Sequence, residues 1–126
     1  IPSLRMVLDH LNQPPIPSAQ RFGTWGVLMK EIATNANIYA KISGLGTASG
    51  NPAGWTAADI SPCIAYALDV LGTDRCFCGG DWPVSTLAGS YTKHWEQYTQ
   101  VIDALLNNED ARKLYYNNAS RFYNIN

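Results

Sequence analysis

Asp81 lies in the run Arg75-Cys-Phe-Cys-Gly-Gly-Asp-Trp-Pro-Val84, in which a short apolar stretch closes in two glycines and then presents a carboxylate, a tryptophan and a proline. Glycine lets a backbone turn tightly, and Pro83 withholds the N–H that would extend a strand. A second run, Arg5-Met-Val-Leu-Asp-His10, is also apolar until it ends in ionisable side chains. The carboxyl ends of buried parallel strands are where α/β proteins of the barrel type keep their chemistry. A carboxylate there can take a proton from water, and an imidazole can donate to a carbonyl oxygen or ligate a metal. The plainer readings are an Asx-turn at Asp81 and a histidine that only caps its strand at position 10.

Further candidates flank this pair. Strand alternation over Asn37-Ile-Tyr-Ala-Lys-Ile-Ser43 puts Tyr39, Lys41 and Ser43 on one face. If that face looks inward, Lys41 supports the carboxylates from below and Ser43 lies near the mouth; the alternative is a buried ion-pair lysine with no chemical role. Trp82 reads as a pocket wall suited to a sugar ring, or as packing alone. His94 falls in an amphipathic helix and is assigned to the surface. Trp25, Trp95, Tyr98, Tyr115 and Tyr116 recur at helical spacing and read as core or helix–helix contacts.

The elements that must position these groups alternate. Residues 5–9 read as a strand, followed by a proline-rich loop over residues 12–17. Ser18 then caps a helix with Phe22, Trp25, Leu28, Met29 and Ile32 on its apolar stripe. Residues 37–43 form a second strand, broken at Gly44-Leu-Gly46 and followed by a loop through residue 54. Residues 55–62 lead into a second helix that buries Ile64, Ala67, Leu68 and Leu71 and ends at Gly72. Residues 75–79 are the third strand; two helices, about residues 90–106 and 109–117, and a short tail follow. The order β-α-β-α-β-α implies an α/β fold with parallel strands and right-handed crossovers. Three such strands cannot close a barrel and would leave edges exposed. Either an N-terminal portion supplies the remaining strands or copies of the chain cover the edges, and a start at Ile1-Pro2-Ser3 favours the first.

The 126 residues suit one domain, and a net charge of −1 with scattered basic residues argues against a nucleic-acid partner. No apolar run is long enough to span a bilayer. Cys76 and Cys78, two apart on one strand, lie too far apart for an easy disulfide and read as small buried hydrophobes. The compartment expected is reducing, hence cytoplasmic, so the Asn118-Ala-Ser120 sequon is taken as coincidental.

Several segments together resemble the amidohydrolase-related lactonases of the fuconolactonase and 2-pyrone-4,6-dicarboxylate lactonase type. They are Val7-Leu-Asp-His-Leu-Asn-Gln-Pro14, Asn37-Ile-Tyr-Ala-Lys-Ile-Ser-Gly-Leu45, and Leu71-Gly-Thr-Asp-Arg-Cys-Phe-Cys-Gly-Gly-Asp-Trp-Pro-Val84 continuing into Leu87-Ala-Gly-Ser-Tyr91, with Asn118-Ala-Ser-Arg-Phe-Tyr123 at the end. The resemblance implies that residues 1–126 are the C-terminal part, about three βα units, of a TIM (β/α)8 barrel, its strands being the sixth to eighth. It implies hydrolysis of a sugar lactone, with Asp81 activating water, His10 as second catalytic group, and Ser43, Lys41 and Trp82 binding substrate. His10 and Asp81 become ligands if a divalent ion is bound, zinc first, but the family also has metal-free members and the sequence leaves both open. The family's His-x-His pair has no counterpart here, so the chain alone is expected to be inactive. Gly80 stands where the family usually has Ser, and Asn12-Gln13 where Gly-Lys is usual. Two alternatives remain: a metal-dependent decarboxylase of the same superfamily, and a non-catalytic, self-associating fragment.

Overall fold

Three short apolar runs pair side by side, and the computed structural model describes them within residues 3–18 and 22–125. Strands β1 (Met6–Leu8), β2 (Ile38–Ile42) and β3 (Cys76–Cys78) form one parallel sheet in that order. Leu8 pairs with Ala40, and Ala40 with Cys76. The strands are shorter than the sequence suggests, because the backbone leaves the ladder as soon as the site-bearing turns begin.

Helix α1 (Gly23–Ala33) follows β1, α2 (Leu45–Ala48) and α3 (Ala57–Leu71) follow β2, and α4 (Tyr91–Leu105) follows β3. The chain closes with α5 (Asn108–Arg112), a π-helical turn Lys113–Asn117, and α6 (Asn118–Tyr123). Met29, Ala40, Ile42, Ile60, Ile64, Ala67, Cys76 and Ile102 belong to one buried cluster between sheet and helices. Both sheet faces are therefore apolar, as expected of parallel strands. On the opposite face α6 lays Phe122 against Tyr39 and Phe77, with ring centroids 4.9 and 5.6 Å apart.

Local sequence explains the boundaries. Thr56 and Asp59 form a capping box that starts α3, and Ser90 accepts from the Lys93 N–H at the start of α4. The Arg75 guanidinium donates to the Leu71, Ala33 and Asn35 carbonyls, tying the C-terminal ends of α1 and α3 together. The Asn118 amide donates to Thr73 O at 2.6 Å and Cys76 O at 2.8 Å. Spent on those carbonyls and buried, it is no acceptor for a glycan.

Several expectations need correction. Helix α1 is described from Gly23, and the stretch through which Ser18 was expected to cap it, residues 19–21, lies outside the described residues. Leu28 is exposed, because the buried stripe of α1 runs through Trp25, Gly26 and Met29. The loop after β2 contains α2, and α3 starts at Ala57, so Pro62 lies inside it and forgoes one intrahelical bond. Tyr116 is exposed rather than core, since the π turn rotates it outward while Leu114 stays buried. The tail after residue 117 is helical, held by Asn118.

Candidate active site

His10 is placed by an unusual stretch of backbone. His10, Leu11, Asn12 and Gln13 all have left-handed dihedrals, with φ of 56, 49, 57 and 54°. Each non-glycine residue in that region costs roughly 1–2 kcal/mol. Tertiary contacts offset the strain: Leu11 is fully buried in the core, and its carbonyl accepts from Trp25 Nε1 at 2.8 Å. The turn lifts the His10 ring over the sheet edge, where Nδ1 lies 2.8 Å from Ser43 Oγ. Ser43 is fully buried at the end of β2. With Nδ1 engaged, Nε2 is the atom left to face a substrate.

Asp81 comes from the end of β3, also left-handed at φ 50°. Its carbonyl accepts from Ser85 N at 2.8 Å, which starts the 3-10 turn Val84–Ala88. His10 Nε2 and Asp81 Oδ1 are 3.7 Å apart. That is longer than a hydrogen bond and short enough for both groups to contact one small atom. The two strand ends therefore converge at a common rim.

Glycines make this approach feasible. Gly44 has φ of 61°, and a Cβ built on it would lie 2.7 Å from His10 Nδ1 and 2.9 Å from Asp81 Oδ2. A Cβ at Gly79 would strike the Lys41 stem at 2.7 Å, and one at Gly80 the Tyr91 ring at 2.6 Å. Gly80, where a hydroxyl was missed in the sequence, thus seats an aromatic ring beside Asp81.

A cleft of about 390 Å³ is lined by His10, Ser43, Lys41 and Asp81, with Asp9, Tyr123 and the Gly79-Gly80 backbone completing its wall. Lys41 Nζ pairs with Asp9 Oδ1 at 2.6 Å. Burial pulls the Lys41 pKa down, but hydrogen bonds to Asp9 and Tyr123 outweigh it, and the lysine ends above its ordinary value. It is thus a fixed positive charge beside His10 and Asp81, supporting Asp9 rather than Asp81. A second cleft, of about 430 Å³, adjoins His10 on the side of Gln13, the proline loop and Thr47.

Of the residues singled out from sequence, the structure brings His10, Asp81, Ser43 and Lys41 together. It does not bring Trp82, which is 72% exposed and outside the cleft lining. His94 is corrected: it is fully buried, packed on Trp55 with centroids 4.8 Å apart, with Nε2 2.8 Å from Ser85 O. Gly44, Asp9 and Tyr123 were missed as site residues; of these only Gly44 left a signal, as a glycine directly after a strand that ends in serine. Cys76 and Cys78 are unbridged, and burial pushes both thiols up, Cys76 to about 12, which makes them unreactive.

Catalytic zinc takes three protein ligands and keeps one position open. No three His, Cys, Asp or Glu side chains cluster closely enough to hold an ion among the described residues. They offer a two-ligand share, His10 and Asp81, and do not by themselves complete a metal centre.

An open parallel sheet of three strands, with an imidazole and a carboxylate meeting at its carboxyl rim, defines an α/β protein that gathers ionisable groups at its strand ends. The comparisons agree. The family model described as "Amidohydrolase" matches residues 1–125, and the chain belongs to that family. It is 36% identical to L-fucono-1,5-lactonase of Burkholderia ambifaria over 98% of this chain and 43% of that protein. It is 29% identical to L-rhamnono-gamma-lactonase of Scheffersomyces stipitis, over 99% of this chain and 42% of that one. Among solved structures, an amidohydrolase from Burkholderia multivorans with bound zinc superimposes with a TM-score of 0.89 at 29% identity, over 97% of this chain and 44% of that one. The chain spans less than half the length of the curated relatives it matches. The expected α/β fold, a portion of a TIM barrel, is borne out.

Proposed function

We propose that these residues are the C-terminal share of a lactonase barrel that hydrolyses a sugar lactone, and that Asp81 and His10 are the catalytic groups they contribute. The observation that carries this reading is the 3.7 Å approach of His10 Nε2 to Asp81 Oδ1 at one cleft. The lactonase names of the relatives support the substrate class.

Lactone hydrolysis is acyl transfer to water. Asp81, largely shielded from solvent, accepts a proton as water attacks the carbonyl carbon. His10 Nε2 donates a hydrogen bond to the oxygen on which charge develops, and Ser43 holds the ring at Nδ1. Lys41, paired with Asp9, places positive charge under the cleft and supports substrate binding from there. Trp82 contributes a face to substrate only where neighbouring structure folds over it. A bound divalent ion would polarise the carbonyl and acidify water; His10 and Asp81 are the side chains here that would ligate it, and the remaining ligands come from outside these residues. The substrate is a small molecule, and the remaining strands come from an N-terminal barrel half. The setting we propose is reducing and cytoplasmic, and no helix among the described residues is long and apolar enough to cross a membrane.

The test is to assay the full-length protein with L-fucono-1,5-lactone, L-rhamnono-gamma-lactone, 2-pyrone-4,6-dicarboxylate and a set of aromatic carboxylic acids, following acid release and carbon dioxide separately. Turnover of a sugar lactone, lost in Asp81→Asn, is expected. Release of carbon dioxide from an aromatic acid without lactone turnover would replace this reading with a decarboxylase.

A further inference from the structure

His94 lies on α4, outside the lining of the cleft, yet it touches both the turn that follows Asp81 and the helix α2 that follows Ser43 and Gly44. Its Nε2 must donate, because its partner is the Ser85 carbonyl, 2.8 Å away. One residue pair further, Ser85 N donates to Asp81 O at 2.8 Å. Two hydrogen bonds thus connect the His94 ring to the backbone of Asp81. On its other side the ring packs against α2: a Cβ at Gly46 would lie 2.7 Å from His94 Cε1 and 2.5 Å from the Trp55 ring. Trp55 Nε1 donates to Ala88 O at 2.7 Å, and Tyr98 OH accepts from Leu45 N at 3.3 Å.

Trp55, His94 and Tyr98 therefore form one aromatic block with a polar atom on each loop. The turn Val84–Ala88 follows Asp81, and α2 follows Ser43 and Gly44. The Nδ1 atom of His94 is buried and has no partner among the described residues, so the ring's one polar tether among them is at Ser85. Purely apolar packing would not need an imidazole there; a phenylalanine would fill the space without the cost of an unpaired nitrogen.

We infer that His94 is a positioning residue: it fixes the Asp81 carboxylate over the cleft by holding the Val84–Ala88 turn against α2. Asp81 sits on a left-handed residue with no regular ladder beyond it, so its direction depends on what holds the next turn. A displacement of about 1 Å at a reacting group can cost up to about a hundredfold in rate.

The activity arm of the test rests on the lactonase reading, and the exchange arm does not. In the full-length protein, His94→Phe keeps the ring and removes the donor, while His94→Gln restores an N–H near the Nε2 position. The expected result for His94→Phe is a kcat lower by roughly ten- to hundredfold with KM within about twofold, and faster hydrogen exchange at residues 81–88. His94→Gln should recover most of both. Nitrogen-15 chemical shifts of wild-type His94 should report the Nε2–H tautomer. Unchanged kcat and exchange in a folded His94→Phe overturn the inference, as does a His94→Gln that is folded and equally impaired. If His94→Phe does not fold, His94→Gln and the tautomer decide, and an Nδ1–H tautomer overturns it. Should the wild type turn over no lactone, the exchange comparison still decides the positioning role, and only the lactonase reading fails.

Discussion

Replacing Gly44 by alanine tests how closely the two strand ends must approach. The added methyl would sit 2.7 Å from His10 Nδ1 and 2.9 Å from Asp81 Oδ2, against an ordinary contact of 3.4–4 Å. Both groups must therefore retreat by several tenths of an ångström, or the backbone at residue 44 must shift away from them. Alanine at φ 61° also adds roughly 1–2 kcal/mol of backbone strain. The destabilisation expected from urea unfolding is therefore about 1–3 kcal/mol once the steric contact is included. Activity should fall further than stability does. A shift of half an ångström or more at a reacting group, with loss of the 2.8 Å bond from His10 to Ser43, predicts a kcat down about ten- to hundredfold under conditions where the protein is fully folded. Lactone hydrolysis by the full-length protein, measured beside its unfolding curve, separates the two effects. A folded Gly44→Ala variant with wild-type kcat would refute the reasoning that this glycine makes room for the pair.

Other outcomes follow from the same geometry. Ser43→Ala should leave folding largely intact and lower kcat about tenfold, since it frees the His10 ring at Nδ1; an unchanged kcat would count against the Ser43 role. Asn118→Ala should destabilise by about 1–3 kcal/mol by leaving the Thr73 and Cys76 carbonyls unpaired, and a change within error in urea would contradict it. Burial lowers the His94 pKa below its ordinary 6.5, against the Ser85 hydrogen bond and the Asp81 charge, which raise it, while Lys93 adds to the lowering. Below 6.5 the unfolded chain binds a proton that the folded one does not, so stability should fall as pH drops through that value, and His94→Gln should lack this component. A wild type and variant with parallel pH dependence would contradict the assignment.

The alternation of elements, and the two strand ends that carry Asp81 and His10, were legible because parallel βα units leave strong periodic signals and because glycine and proline punctuate strand ends. His94 was assigned to the surface on polarity, though its spacing to Tyr98, Val101 and Ile102, all buried, puts it on the inner face of α4. Trp82 could not be placed from sequence, since its exposure depends on what lies beyond three open strands. The left-handed run His10–Gln13 left no sign: it contains no glycine, and only the buried Leu11 and its bond to Trp25 make it tenable.

The central claim is tested most directly by a double-mutant cycle on His10 and Asp81, measuring lactone hydrolysis by full-length His10→Asn, Asp81→Asn and the double variant. Groups that act on one reacting centre lose activity together, so the double variant should be little worse than the more damaged single one. Additive losses, or an Asp81→Asn variant that keeps wild-type activity, would contradict the account.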